Sequence, residues 1–208
     1  AVLLALLLLL PAALSAQRYT CASPDGRNVI TFDVGDSLRL SLARGGAAIL
    51  RSSTIGLSIE GEEFFGARSA VRAAATRGAD TLLRPEVRQK SALIRDRYNE
   101  LTLEFVQPFS VTLRAFDDGI AYRFSTRLAG ERNVAGEVAQ FAFPESSVVT
   151  FPEEESFQSH NERTYLHLPI GEIGPERFCS TPALVSVPGG IRAVITESDL
   201  DDYPGVWL

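Results

Sequence analysis

Four carboxylates fall within six residues at Glu197, Asp199, Asp201 and Asp202. They offer the hard oxygen ligands that Ca²⁺ prefers. The spacing is not that of an EF-hand loop, because Asp202 stands where such a loop demands glycine and Leu208 where it demands a bidentate glutamate. A second acidic run, Glu153-Glu154-Glu155, follows Pro152. Adjacent like charges repel, so this run reads as a solvated loop. Between the two lies Ser159-His160-Asn161-Glu162-Arg163-Thr164-Tyr165, polar and edged by an aromatic residue. His160 and Glu162 are its candidates for a substrate-side role. Neither this segment nor His167 has the spacing or partners of a Ser-His-Asp triad or a metal signature. Trp207 could stack on a sugar ring, although a core or interface anchor is the plainer reading. No glycine-rich phosphate loop and no Cys-x-x-Cys occurs.

Alternating strands must position these residues. Leu38, Leu40 and Leu42 alternate with Ser37, Arg39 and Ser41, and Leu101, Leu103 and Phe105 with Glu100, Thr102 and Glu104. Val111 to Ala115, Ile120 to Phe124, Ile30 to Val34 and Ile191 to Ile195 repeat the period of two. Each run sets an apolar face inward and a polar face outward, as half-buried antiparallel strands require. Turns punctuate them at Pro24-Asp25-Gly26, Gly45-Gly46 and Pro188-Gly189-Gly190. Asp117-Asp118-Gly119 joins two alternating runs, and its Asp-Gly pair predicts a hairpin with a primed turn. The one candidate helix is Ala67 to Ala79, rich in Ala and Arg; its weak apolar face leaves a loop or irregular strand equally open. Many short strands with frequent turns predict an all-β antiparallel sandwich.

Composition narrows the function classes. A net charge of −6 and a pI near 5.0 argue against nucleic acid, which needs a basic face. Ala1 to Leu14 is almost wholly aliphatic and is followed by the small residues Ser15 and Ala16. That run is short for a membrane span and suits a secretory signal cleaved after Ala16, with an uncleaved anchor as the alternative. The expectation is an exported, periplasmic or secreted chain with one β-sandwich domain over residues 17–208. Cys21 and Cys179 would then meet an oxidising route, where a disulfide is possible but not implied by their spacing. The chain has no Met and ends in the apolar Tyr203–Leu208 stretch, so it reads as a fragment at both ends.

Several segments in order resemble one family. They are Ser23-Pro24-Asp25-Gly26, Gly56-Leu57, Asp117 to Phe124, Thr181 to Val185, and Ile195 to Gly205. Together they resemble the N-terminal domain of glycoside hydrolase family 97, a family of α-glucosidases and α-galactosidases. The resemblance implies an antiparallel β-supersandwich of mutarotase-like fold, packed in the parent enzyme on a (β/α)₈ barrel that holds the catalytic carboxylates beyond Leu208. It implies a catalytic calcium ion, with Glu197 as the ligand donated by the sandwich and the other protein ligands supplied by the barrel. The implied partners are the chain's own barrel and an α-linked oligosaccharide, with no catalytic residue in this fragment. The rival readings are a free-standing exported carbohydrate-binding β-sandwich and a structural domain of the cell envelope. A binding module would expose coplanar aromatics, whereas Phe32, Phe105, Tyr122 and Phe124 alternate inward.

Overall fold

A computed structural model describes residues 16–201 and 203–208. The expected signal segment therefore lies almost wholly outside the described residues, as does Asp202. The chain is antiparallel β throughout its paired strands, in the order β1 (Gln17–Ala22), β2 (Asn28–Val34), β3 (Leu38–Arg44), β4 (Ala47–Ile59), β5 (Val71–Leu83), β6 (Ile94–Phe105), β7 (Phe109–Phe116), β8 (Ile120–Thr126), β9 (Val134–Ala139), β10 (Val148–Pro152), β11 (Tyr165–Pro169), β12 (Ala183–Val187) and β13 (Ile191–Ile195). A 3₁₀ turn at Ile170–Glu172 is the only helical element among the described residues. Three sheets result, ordered β1-β2-β3-β4-β9, β5-β6-β7-β8 and β11-β10-β12-β13. The all-β class read from the alternation is the one observed.

The chain divides into two compact units. Of the described residues, the first comprises 16–41 together with 53–140, and the second 42–52 together with 141–201 and 203–208. In the first unit, β1 and β2 lie against β6 and β7. Alternation decides which side chains meet there. Ile30, Phe32 and Val34 of β2 are buried, as are Leu101, Leu103 and Phe105 of β6 and Phe109, Val111 and Leu113 of β7. The centre is aromatic: Phe109 stacks on Phe65 at 4.7 Å and on Phe105 at 4.3 Å between ring centroids, and touches Phe124 at 6.0 Å. Arg127 closes the β6–β7 turn by donating to the carbonyls of Phe105, Gln107 and Phe109 at 2.8, 2.7 and 3.1 Å. Gly56 lets the Phe64 ring pack over the strand, since a Cβ there would stand 2.2 Å from the ring and the ring would have to move.

Of the alternatives left open at Ala67–Ala79, the structure takes the strand, and one further expectation is corrected. Residues 71–83 form β5, which pairs with β6 with a register shift between Val71 and Ala73. Ala and Arg are good helix formers, but intrinsic propensity is a weak determinant that a long strand partner outweighs. The hairpin at Asp117-Asp118-Gly119 forms as expected, with Ala115 opposite Ile120. It is not a primed turn, because none of its residues has a positive φ. The Phe116 N–H donates to the Gly119 carbonyl across it at 2.8 Å, and Asp117 accepts from the Asp25 backbone N–H at 2.9 Å and from Arg97 at 3.0 Å. Positive φ appears where the β12–β13 turn needs it, at Gly189 and Gly190.

The second unit is built on β10 and β12. Val149 and Phe151 of β10 and Ala183, Val185 and Val187 of β12 supply its buried face. His167 sits opposite Thr150 across the β10–β11 pair and bonds its hydroxyl through Nδ1 at 2.7 Å, a cross-strand contact and no more. Cys21 and Cys179 are both free and buried.

Candidate functional site

The second unit gathers the chemistry-bearing segments of the sequence. Beyond β10 the chain runs through Glu153, Glu154 and Glu155, which the structure treats in three different ways. Glu155 is 86% exposed and Glu153 is partly exposed, facing Arg177 at 3.4 Å. Glu154 is buried, contrary to the solvated-loop reading. Its carboxylate accepts from Ser159 Oγ at 2.6 Å, Arg163 Nε at 2.9 Å and Ser180 Oγ at 3.3 Å. The Ser159 hydroxyl first, then Arg163, hold its carboxyl below the usual carboxylate range against the opposing effect of burial. A buried charge persists only when paired and hydrogen-bonded, and these partners supply both conditions.

Glu154 thereby anchors the loop that carries His160 and Glu162. Both are exposed. Ser159 donates its hydroxyl to Glu154 and accepts the Asn161 backbone N–H at 2.9 Å. Asn161 takes a left-handed backbone with φ of 58°, a conformation asparagine tolerates better than most residues. The Glu162 N–H then donates to His160 Nδ1 at 3.1 Å. An accepting Nδ1 leaves Nε2 of the neutral ring as the protonated nitrogen.

A hydrogen-bonded route leads from Glu154 to Glu197. The Glu154 N–H donates to the Phe178 carbonyl at 3.0 Å. Cys179, next along, exchanges both backbone bonds with Leu208 at 2.8 and 3.0 Å, and Ser180 bridges to Trp207. Val206 donates its N–H to both oxygens of Glu197, at 2.7 and 2.9 Å. Residues 153–154, 178–180 and 206–208 so form a short irregular ribbon. Three rings cover it: Phe157 lies 5.1 Å from Phe178 and 5.2 Å from Trp207, and Phe178 lies 5.7 Å from Trp207. Trp207 is thus packed as an anchor. The rings meet at 33°, 84° and 64°, so they do not make a coplanar platform. Phe157 nevertheless remains 71% exposed. Burial pushes the Cys179 thiol inside the ribbon up to about 11, with the Glu154 charge adding to the effect.

Glu197 is partly exposed, two residues past the end of β13. Its oxygens are of the kind a hard cation takes, and a carboxylate has acceptor capacity beyond one N–H. It fits the part of a single ligand. Among the described residues no three His, Cys, Asp or Glu side chains converge to hold a metal, so a calcium site would have to be completed from outside them. Asp199 and Asp201 are exposed, and Asp199 has a left-handed φ of 66°. The sequence pointed to Glu197, His160 and Glu162. It missed Glu154, whose partners stand five, nine and twenty-six positions away.

Known proteins share the family and the fold of this chain. The family model described as glycosyl-hydrolase 97 N-terminal matches residues 21–208. A retaining alpha-galactosidase of Bacteroides thetaiotaomicron is 31% identical over 206 residues, covering 94% of this chain and 31% of that protein. Among solved structures, a glycoside hydrolase family 97 enzyme from Pseudoalteromonas sp. strain K8, in complex with panose, aligns with a TM-score of 0.80 at 21% identity, over 91% of this chain and 30% of its own. A beta-arabinopyranosidase aligns with a TM-score of 0.78 at 20% identity, over 89% of this chain and 32% of its own. The two structures establish the shared fold. The chain spans just under a third of the length of each of these relatives.

Proposed function

The chain belongs to the glycosyl-hydrolase 97 N-terminal family, and from that premise we propose that it is the non-catalytic β-sandwich domain of an exported glycoside hydrolase acting on α-glycosidic bonds. Its share of the work is to support a catalytic (β/α)₈ barrel and to present Glu197 as one ligand of a calcium ion. The family match over residues 21–208 is the observation that carries this reading. The partly exposed Glu197 carboxylate, steadied by the Val206 N–H, supports the ligand role. Calcium bound there would polarise the glycosidic leaving oxygen as a Lewis acid. The chain's own residues do the positioning: Glu154 fixes the 155–163 loop, and the Cys179–Leu208 pair fixes the segment that follows Glu197. His160 and Glu162, exposed on that loop, are proposed to face the substrate side. Export rests on the aliphatic run at residues 1–14 and the small residues after it.

The test is made on the product of the whole gene. Hydrolysis of nitrophenyl α-glucoside and α-galactoside should fall on chelation and return with calcium, and Glu197→Gln should raise the calcium concentration needed for half-activity. Activity indifferent to chelation, with Glu197→Gln unchanged, refutes the ligand role. A reading frame that stops within a few tens of residues of Leu208 refutes the hydrolase itself and returns the carbohydrate-binding module to first place.

A further inference from the structure

Both oxygens of Glu197 accept the same donor, at 2.7 and 2.9 Å. A donor shared so evenly sits in the bite of the carboxylate. We propose that Glu197 has a task of its own, separate from any metal. It is a positioning residue that latches the Tyr203–Leu208 segment through the Val206 N–H and thereby seats Trp207 against Phe178 and Phe157.

The local sequence is arranged for this contact. β13 ends at Ile195, and the described residues among 196–205 form no strand or helix before the chain returns at Val206, beside Glu197. The left-handed backbone at Asp199 lies within that excursion. Gly205 completes the approach, because a Cβ at that position would stand 3.3 Å from Glu197 Oε1 and crowd the oxygen that reaches the next N–H. The far end of the segment is tied by the two backbone bonds between Leu208 and Cys179. Trp207 lies between these two tethers. Its ring contacts Phe157, which belongs to the loop bearing His160 and Glu162. A charge-assisted bond is roughly twice as strong as a neutral one, and it satisfies a part-buried N–H that would otherwise lack a partner. The latch therefore acts on the substrate-side loop through an aromatic contact.

Trp207 is the only tryptophan in the 208 residues, so emission excited selectively at the red edge of the spectrum, where the five tyrosines do not absorb, reports on this segment. The measurement is acrylamide quenching and emission maximum of the 208-residue chain, in excess chelator, with far-UV circular dichroism as a separate check of folding. Glu197→Ala should red-shift the emission and raise the quenching constant. Glu197→Gln keeps one acceptor oxygen but loses the charge and the second acceptor, and should fall between wild type and the alanine variant. Val206→Pro removes the donor without touching the carboxylate, and should reproduce the alanine result. If Glu197→Ala fails to fold, Val206→Pro decides. A folded Val206→Pro or Glu197→Ala chain with wild-type quenching overturns the latch, as does a glutamine variant that behaves like alanine. Chelator is present throughout, so failure of the calcium reading leaves this result unaffected.

Discussion

Replacing Phe109 by leucine should weaken the first unit by more than a change of apolar volume explains. Phe109 is fully buried and its ring is stacked between two others, at interplanar angles of 15° to Phe65 and 11° to Phe105. Leucine retains much of the apolar burial, so the loss is chiefly the two ring pairs. Each aromatic pair contributes about 0.5–1.5 kcal/mol beyond its buried area, which gives about 1–3 kcal/mol for both. Phe109→Ala adds the transfer and cavity costs and should reach about 3–5 kcal/mol. Native domains hold only about 5–15 kcal/mol, so alanine removes a large share of the margin. Urea unfolding followed by far-UV circular dichroism measures both, and a double-mutant cycle with Phe105→Leu isolates one pair. The cycle should return a coupling of about 0.5–1.5 kcal/mol, since the two rings lie 4.3 Å apart and share no charge. A Phe109→Leu cost under about 0.5 kcal/mol would look like a surface substitution. That result, or a null coupling, would refute the claim that ring stacking organises this core.

The Glu154 anchor predicts that Glu154→Ala speeds tryptic cleavage at Arg163, whereas Glu155→Ala, whose contact with Arg163 is a 3.9 Å ion pair from a side chain 86% exposed, changes the digestion rate far less. Equal digestion of the two variants would remove Glu154 from its anchoring role. Glu100, held low first by its bond to Arg77 and also by Arg114, and Glu154 bind protons more weakly folded than unfolded. Their stabilisation should be complete above the ordinary glutamate pKa of about 4.3 and drain away as pH falls towards their depressed folded values, a decline that Glu100→Gln should flatten in acid unfolding curves. Burial raises both thiols, Cys179 to about 11, so a disulfide-exchange reagent at pH 8 should find neither in the native chain and both in urea. Rapid native labelling of either would contradict the burial described.

The strands whose period of two spans a buried and a solvated face were legible residue by residue. β2 and β7 alternate buried with half-buried positions along their whole lengths, as their Ile-Phe-Val and Val-Leu-Ala series demanded. β5 was not legible, because it is an edge strand exposed along nearly all its residues and carries no alternation to read. Its identity comes from β6, and a pairing partner leaves no mark on the strand it recruits. The Asp117 hairpin shows a milder form of the same effect. Its position followed from composition, but its turn uses no positive φ, and Asp117 is tied to Asp25 and Arg97, distant in sequence.

The candidate site divides along the same line. Glu197 could be singled out because its neighbourhood in sequence is itself unusual, and the structure places its carboxylate where the chain turns back on itself. Glu154 sits in a run of three identical residues whose local pattern assigns all of them to solvent. What separates it from Glu153 and Glu155 is burial beneath Ser159, Arg163 and Ser180, a consequence of the ribbon that joins residues 153–154 to 178–180. A carboxylate kept charged in such a place requires every partner at once, so its loss would be felt along the whole loop and not at one bond. The two glutamates thus hold the two ends of one hydrogen-bonded path, Glu154 fixing the loop of His160 and Glu162 and Glu197 fixing the segment of Trp207. Rigidity of the loop and seating of the tryptophan should therefore respond together when either glutamate is removed.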